Sequence, residues 1–211
     1  MTYTVKELFY TLQGEGHQSG RASVFCRFSG CNLWSGLEKD RHNTVCPFCD
    51  TDFVGTDGEG GGKFASAPQL AEQIRKTWPE NTEGVPYVVF TGGEPLLQLD
   101  SELINALHKA GFEIAVETNG TINAPPGIDW LCVSPKQLDK LEQRSGDELK
   151  LLFPRDDLPP EQFAELDFSY FYLQAVDEAG QVDNQQAVVD YCLQHPQWRV
   201  SLQTHKILGL K

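Results

Sequence analysis

Apolar residues along this chain fall into short runs, and most of the runs end in a turn. Residues 87–91 stop at Gly92-Gly93, 112–118 at Asn119-Gly120, 130–134 at Pro135 and 149–153 at Pro154. Residues 23–28, 170–175 and 198–202 bring the runs of strand length to seven. Short apolar runs punctuated by Gly, Pro and Asn read as buried strands. Helical periods lie between them. Ser66 and Gln69 have capping-box spacing ahead of Leu70, Ile74 and Trp78, which share one face. Asp100 is placed to cap a second helix whose apolar face is Leu103, Ile104 and Leu107 and whose stop is Gly111. Residues 159–166 read as a short third helix and 185–193 as a fourth, with Val188 and Cys192 one turn apart.

Strands alternating with helices specify right-handed crossovers and a parallel sheet. The chain is at the low end for a complete eight-stranded barrel. The expected fold is therefore α/β, an incomplete, open (β/α) barrel of about six parallel strands, with residues 1–211 as one domain. Ligands gather at the carboxyl ends of such strands. Four polar segments sit there: Thr91-Gly92-Gly93-Glu94, Glu117-Thr118-Asn119-Gly120, Ser134-Pro135-Lys136 and Gln174-Ala175-Val176-Asp177. Residues 30–64 break the pattern as a long loop rich in Gly, Asp, Asn and Thr, and a loop that long is usually functional or disordered.

Composition narrows the function. With 40% hydrophobic and 22% charged residues the chain reads as an ordinary globular protein. A formal net charge of −13 argues against nucleic acid or an anionic membrane as partner, since both demand basic surface. Residues 1–7 hold no apolar signal core and no 18-residue apolar run occurs, so the expected location is cytoplasmic. Six cysteines in that setting point to reduced thiols and metal chemistry.

The long loop holds Cys31, Cys46 and Cys49, the last two in Cys46-Pro47-Phe48-Cys49. Three thiolates on a cubane iron-sulfur cluster leave one iron free to bind a small molecule, whereas a structural cluster or zinc site normally takes four protein ligands. Phe48 lies where a flat heterocycle such as adenine can rest. Adding Cys26 gives C-x4-C-x14-C-x2-C, which looks like a zinc ribbon. Cys26, however, alternates onto one strand face with Val24 and Phe28 and reads as a small buried hydrophobe. Cys132 and Cys192 lie in apolar patterns and receive the same reading.

The cysteine motif followed by Thr91-Gly92-Gly93-Glu94-Pro95 resembles the radical S-adenosylmethionine superfamily. Its usual spacing is C-x3-C-x2-C, and fourteen residues stand here between Cys31 and Cys46. Residues 9–16 (Phe-Tyr-Thr-Leu-Gln-Gly-Glu-Gly), residues 28–34 (Phe-Ser-Gly-Cys-Asn-Leu-Trp), Cys49-Asp50-Thr51 and Ser134-Pro135-Lys136 are together similar to the 7-carboxy-7-deazaguanine synthase family, some members of which carry an expanded cluster loop.

That resemblance implies a set of roles. Cys31, Cys46 and Cys49 would hold a [4Fe-4S] cluster, with S-adenosylmethionine chelated at its open iron. Phe48, Cys49, Asp50, Gly93, Ser134, Pro135, Lys136, Gln174, Ala175, Val176 and Asp177 would hold the rest of that cofactor. Leu12, Gln13, Gly14, Glu15, Arg27, Thr91 and, more weakly, Glu117 and the terminal carboxylate of Lys211 would meet the substrate, 6-carboxy-5,6,7,8-tetrahydropterin. Thr51 falls at a Mg2+ position, and His205 and Lys206 are rim residues. The implied reaction is hydrogen abstraction by a 5′-deoxyadenosyl radical, ring contraction, loss of ammonia and return of the hydrogen. A flavodoxin or ferredoxin would supply the electron, and members are commonly homodimers. Two other readings stand beside it: an activase that installs a glycyl radical on a partner protein, and a zinc-stabilised binding module without catalysis.

Overall fold

The longest strand is one that the apolar runs do not announce. In the computed structural model, which describes residues 2–177 and 181–211, Tyr3–Leu12 form β1. It pairs antiparallel with β2 (Ala22–Phe28), and the register shifts between Val5 and Glu7. A bulge resets which residues face inward, so Lys6 and Glu7 interrupt the alternation that would have revealed the strand. Three residues of the long loop, Gly62–Phe64, add a short β3 on the far side of β1.

The remaining strands are β4 (Tyr87–Gly92), β5 (Glu113–Thr118), β6 (Trp130–Val133), β7 (Ser145–Phe153), β8 (Asp167–Ala175) and β9 (Trp198–Ser201). The order across the single sheet is β3-β1-β2-β4-β5-β6-β7-β8-β9. From β2 to β9 every neighbouring pair is parallel. The open barrel therefore has seven parallel strands where about six were expected, plus two antiparallel strands at one edge.

Helices α1 (Ala67–Thr77) and α2 (Ser101–Lys109) cover one half of the outer face, α3 (Gln181–Gln194) covers β8 and β9, and α4 (Thr204–Leu208) follows β9. Asp100 caps α2 by accepting from the Leu103 amide at 3.0 Å. The expected box at Ser66 does not form. Gln69 Oε1 instead accepts from the Ala65 amide at 2.7 Å. Between β5 and β8 the expected alternation also fails, because these connections carry no α-helix among the described residues. The segment 159–166 makes only a 3-10 turn at Pro160–Gln162. Pro154, Pro159 and Pro160 withhold the amides a longer helix needs. Loop residues Leu141, Leu158 and Phe163 cover that part of the sheet instead.

Strand alternation gives the wall two characters. Val24, Cys26, Phe28, Val88, Phe90, Ile114, Val116, Leu149 and Leu151 face outward into the apolar core under the helices. Cys26 is fully buried there, as its alternation indicated. Tyr87, Val89 and Ala115, with Phe25 and Trp130, fill the lower lumen. Cys132 departs from its expected setting. It is buried, but it alternates with the outward Leu131 and Val133 and so faces the lumen, beside Glu117 and Glu148.

Candidate active site

Above that apolar layer the lumen opens into a cavity of about 460 Å3 bounded by the upper strand ends, the cysteine loop and the segment after β1. The segment after β1 closes what the open sheet leaves unclosed. Gly14 O accepts from the Thr204 amide at 2.8 Å and from Thr204 Oγ1 at 2.9 Å, while the Gly16 amide donates to Ser201 Oγ at 3.0 Å. The first strand's end is thereby tied to the last strand's end. Gly14 must be glycine, since a Cβ would stand 2.8 Å from His205 Cβ.

This plug presents Gln13 and Glu15 to the cavity as its floor. Lys150 Nζ donates to Glu15 Oε2 at 2.6 Å, and Gln203 Nε2 and Gln174 Nε2 donate to Glu15 Oε1 at 2.9 and 3.2 Å. Gln13 Nε2 donates to Glu117 Oε1 at 3.0 Å, Thr91 Oγ1 to Glu117 Oε2 at 3.4 Å, and Lys150 lies 3.8 Å from Glu117. Burial pushes the Glu15 carboxyl up, but the Lys150 ammonium, the Gln203 hydrogen bond and the nearby His205 together more than offset it and hold the group well below the usual carboxylate range. Burial alone would lower Lys150, yet Glu117 and Glu15 keep it charged and well above its ordinary value. Farther round the wall, Arg27 Nε donates to Glu7 Oε1 at 2.8 Å, and Lys211 Nζ approaches Glu7 Oε2 at 3.4 Å.

Cys31, Cys46 and Cys49 line the opposite wall together. Burial raises the thiols of Cys31 and Cys46, the latter to about 11. The expanded loop carries its own brace, a 3-10 turn at Glu38–Asn43. From it Arg41 Nη1 donates to the carbonyls of Pro47 and Cys49 at 2.7 and 3.0 Å, with its guanidinium 4.3 Å from the Trp34 ring centroid. Gly92-Gly93 brings β4's tip against this loop. Gly92 has φ +134°, and a Cβ on Gly93 would stand 2.6 Å from Cys31 Cβ. Glu94 is fully buried and ties two strand tips, accepting from the Leu96 amide at 2.9 Å, the Asn119 amide at 2.8 Å and Thr118 Oγ1 at 2.8 Å.

Nearly all the residues singled out in the sequence meet on this one cavity: the three cysteines, Phe48, Asp50, Thr51, Gly93, Ser134, Lys136, Gln174, Ala175, Val176, Asp177, Leu12, Gln13, Gly14, Glu15, Arg27, Thr91, Glu117 and Lys211, with His205 and Lys206 at the rim. Pro135 is not on its wall; it turns the chain between Ser134 and Lys136, whose Nζ donates to Ser134 Oγ at 2.7 Å. One face of Phe48 is covered by Arg155, whose guanidinium lies 4.7 Å from the ring centroid. Lys206 holds Asp50 at 3.0 Å and also Asp177. Lys150 and Gln203 were missed, while Asn119 belongs to a strand tip already placed on the rim. Lys150 had a signal: in Glu148-Leu149-Lys150-Leu151 the alternate positions are charged, which marks a strand with one polar buried face.

The Radical SAM superfamily model matches residues 41–149. The 7-carboxy-7-deazaguanine synthases of Caulobacter vibrioides and Bordetella pertussis are 62% and 60% identical to this chain, each over 210 residues and the full length of both proteins. The chain belongs to the 7-carboxy-7-deazaguanine synthase family. The crystal structure of QueE from Escherichia coli, 28% identical, superposes with a TM-score of 0.69 over 96% of this chain and 94% of that one.

As a member of the 7-carboxy-7-deazaguanine synthase family within the radical S-adenosylmethionine superfamily, the chain is an enzyme that uses a [4Fe-4S] cluster and S-adenosylmethionine. The wall fits that pair. Three thiols share it, Cys26, Cys132 and Cys192 lie elsewhere, and the glycine-tipped β4 leaves backbone exposed beside Cys31. Among the described residues no three of His, Cys, Asp and Glu converge tightly enough for a single ion. A cubane asks for less convergence, because each thiolate binds a different iron. Among the described residues, no helix is long and apolar enough to cross a membrane.

Proposed function

We propose that this enzyme converts 6-carboxy-5,6,7,8-tetrahydropterin to 7-carboxy-7-deazaguanine and ammonia, as a carbon-nitrogen lyase of 7-deazapurine (queuosine-type) biosynthesis, with residues 1–211 acting as one domain. The observation that carries the reading is a single cavity with three thiols on one wall and the Gln13–Glu15–Arg27–Glu117 set on the other. A cavity inside the barrel walled by charged side chains suits a small polar heterocycle better than the polypeptide that a glycyl-radical activase must admit.

Cys31, Cys46 and Cys49 hold the [4Fe-4S] cluster. When bound, the cluster and S-adenosylmethionine together supply a hydrogen-abstracting radical. The chain's own residues orient and exclude. Gly93 would offer backbone to the cofactor's amino group, while Phe48, Ser134, Lys136 and residues 174–177 would hold its ribose and adenine. Arg27 keeps its terminal guanidinium nitrogens for the substrate carboxylate, a geometry suited to bidentate pairing. Gln13, Glu15, Thr91 and Glu117 meet the polar edges of the pterin. Lys150 pairs with Glu15 and Glu117, whose carboxylate oxygens accept hydrogen bonds from ring N–H groups. Thr51, whose side chain reaches the same cavity, is the protein ligand of a Mg2+ that otherwise takes water and substrate oxygens.

The reading extends to a flavodoxin or ferredoxin as electron donor, a cytoplasmic location and a homodimer. Exposed Val182, Leu193, Ile207 and Leu208 are apolar surface that a second copy can bury. The deciding experiment is anaerobic incubation of the reconstituted protein with the carboxypterin, S-adenosylmethionine and a reductant. A product lighter than the substrate by one ammonia is expected, and unchanged pterin beside consumed S-adenosylmethionine would refute the assignment.

A further inference from the structure

Beneath the polar floor the lumen holds a second, smaller chamber of about 10 Å3, room for roughly one water. Gln13, Tyr87, Glu117, Trp130, Cys132 and Glu148 are among its walls. Two of them carry a fully buried oxygen with no hydrogen-bond partner, Tyr87 Oη and Glu148 Oε1. Leaving such an atom unpaired forfeits its hydration with nothing in return, and buried waters typically satisfy groups of this kind. Glu148 is otherwise held firmly. Its Oε2 accepts from the His17 amide at 3.1 Å, and the His17 ring packs against both Trp130 and Tyr170, with centroids 5.1 and 3.9 Å away.

The charges around the chamber do not balance if every group is ionised. Glu15, Glu117 and Glu148 share one ammonium, and Lys150 spends its ion pairs on Glu15 at 2.6 Å and Glu117 at 3.8 Å. Cys132 from β6, Tyr87 from β4, Tyr170 and Tyr172 from β8 and His17 from the plug complete Glu148's surroundings. His17 offers it a backbone amide, and its ring Nδ1 lies 3.3 Å from Tyr172 Oη. Arg199 of β9 is spent on the ring of Tyr170, 5.2 Å from its centroid. Three carboxylates face one buried cation, and Glu148 alone of the three has an oxygen without a hydrogen-bond partner.

We propose that Glu148 is a neutral carboxylic acid at neutral pH and, through one chamber water shared with Tyr87, serves as the proton reserve of the substrate floor. Burial pushes its carboxyl above the ordinary range, helped by the nearby Glu117 and against the opposing pull of Lys150, the His17 amide and the Trp130 ring N–H. The role rests on the reaction proposed above. When the carbon-nitrogen bond breaks, its electron pair leaves on nitrogen, and a proton passes from Glu148 through the water and the Glu117 layer to make ammonia. The ring then gives up a proton as it becomes aromatic, and Glu148 takes it back. No proton is consumed over the cycle.

The test uses the reconstituted enzyme and Glu148→Gln, a variant of the same shape. Infrared difference spectra at pH 7 should show the carbonyl stretch of a protonated carboxyl, sensitive to heavy water, that vanishes in Glu148→Gln and persists in Glu117→Gln. A wild-type spectrum without that band, or a band that survives in Glu148→Gln, overturns the proposal. In turnover, kcat of Glu148→Gln should fall by about tenfold or more and lose its high-pH limb, while KM and uncoupled S-adenosylmethionine cleavage stay within about twofold. An unchanged kcat removes the reserve role. If the wild type makes no 7-carboxy-7-deazaguanine, the reaction assignment fails and the role fails with it, while the infrared band still decides the protonation of Glu148.

Discussion

Replacing Gly93 by alanine should cost the enzyme its cluster. A Cβ there would stand 2.6 Å from both Cys31 Cβ and the Gly30 carbonyl carbon, with the Gly30 oxygen nearer still. Carbon atoms in contact prefer about 3.5–4.0 Å, so β4's tip and the Gly30–Cys31 backbone must separate by about 1 Å. Neither side yields freely, because the Glu94 amide donates to Gly30 O at 3.0 Å and the Glu94 carboxylate is fixed by β5's tip. Overpacking of this kind costs about 1–3 kcal/mol, equivalent to roughly 2–12 °C in Tm for a domain of this size. The same displacement moves one thiol out of line with the other two. Iron per chain after anaerobic reconstitution, read beside Tm and beside Gly20→Ala, which strains a backbone at φ +87° but meets nothing within 4 Å and so destabilises without displacing Cys31, separates the two effects. A Gly93→Ala protein with full iron and wild-type Tm would refute the argument that bare backbone at this tip sets the position of Cys31.

Three further perturbations address the other walls of the cavity. Arg27→Ala removes a guanidinium whose side chain is 19% exposed; losing a paired charge in such a setting costs about 2–5 kcal/mol, so KM for the carboxypterin should rise by roughly 30-fold or more while uncoupled S-adenosylmethionine cleavage survives. Thr51→Ala should abolish the acceleration by Mg2+ with iron content unchanged, and an unaltered metal response would reject Thr51 as ligand. Glu15→Gln tests the floor by pH: the carboxyl of Glu15 is depressed by Lys150 despite burial, so its stabilisation is present above the unfolded carboxyl range and is lost as pH falls below it. The variant should be less stable than wild type by about 1.5–3 kcal/mol at pH 7 in urea unfolding, with the gap closing below about pH 4; a gap that widens in acid would show the Glu15–Lys150 pair to be mis-assigned.

What the sequence made legible, and what it hid, follows from the range of the forces involved. Strands β2 and β4 to β9 are marked locally, since each buries one face in the core and ends at Gly, Pro or Asn. The tips could then be placed on one rim by topology alone, and the cysteines stood out by spacing. Strand β1 was hidden by its bulge, and the helix expected at residues 159–166 by proline chemistry that the apolar pattern outweighed. The floor was hidden for a different reason. Lys150 matters because two carboxylates on other elements, Glu15 and Glu117, converge on it from 135 and 33 residues away along the chain (150 − 15 and 150 − 117). No local pattern encodes such a meeting. The alternation of Glu148 and Lys150 with Leu149 and Leu151 does show that charge is buried on one face of β7, and burial of charge without a visible partner is itself a prediction that partners exist. The unpaired oxygen of Glu148 carries that argument one step further: Lys150 meets its carboxylates within the chain, while Glu148 and Tyr87 need a water in the chamber between them.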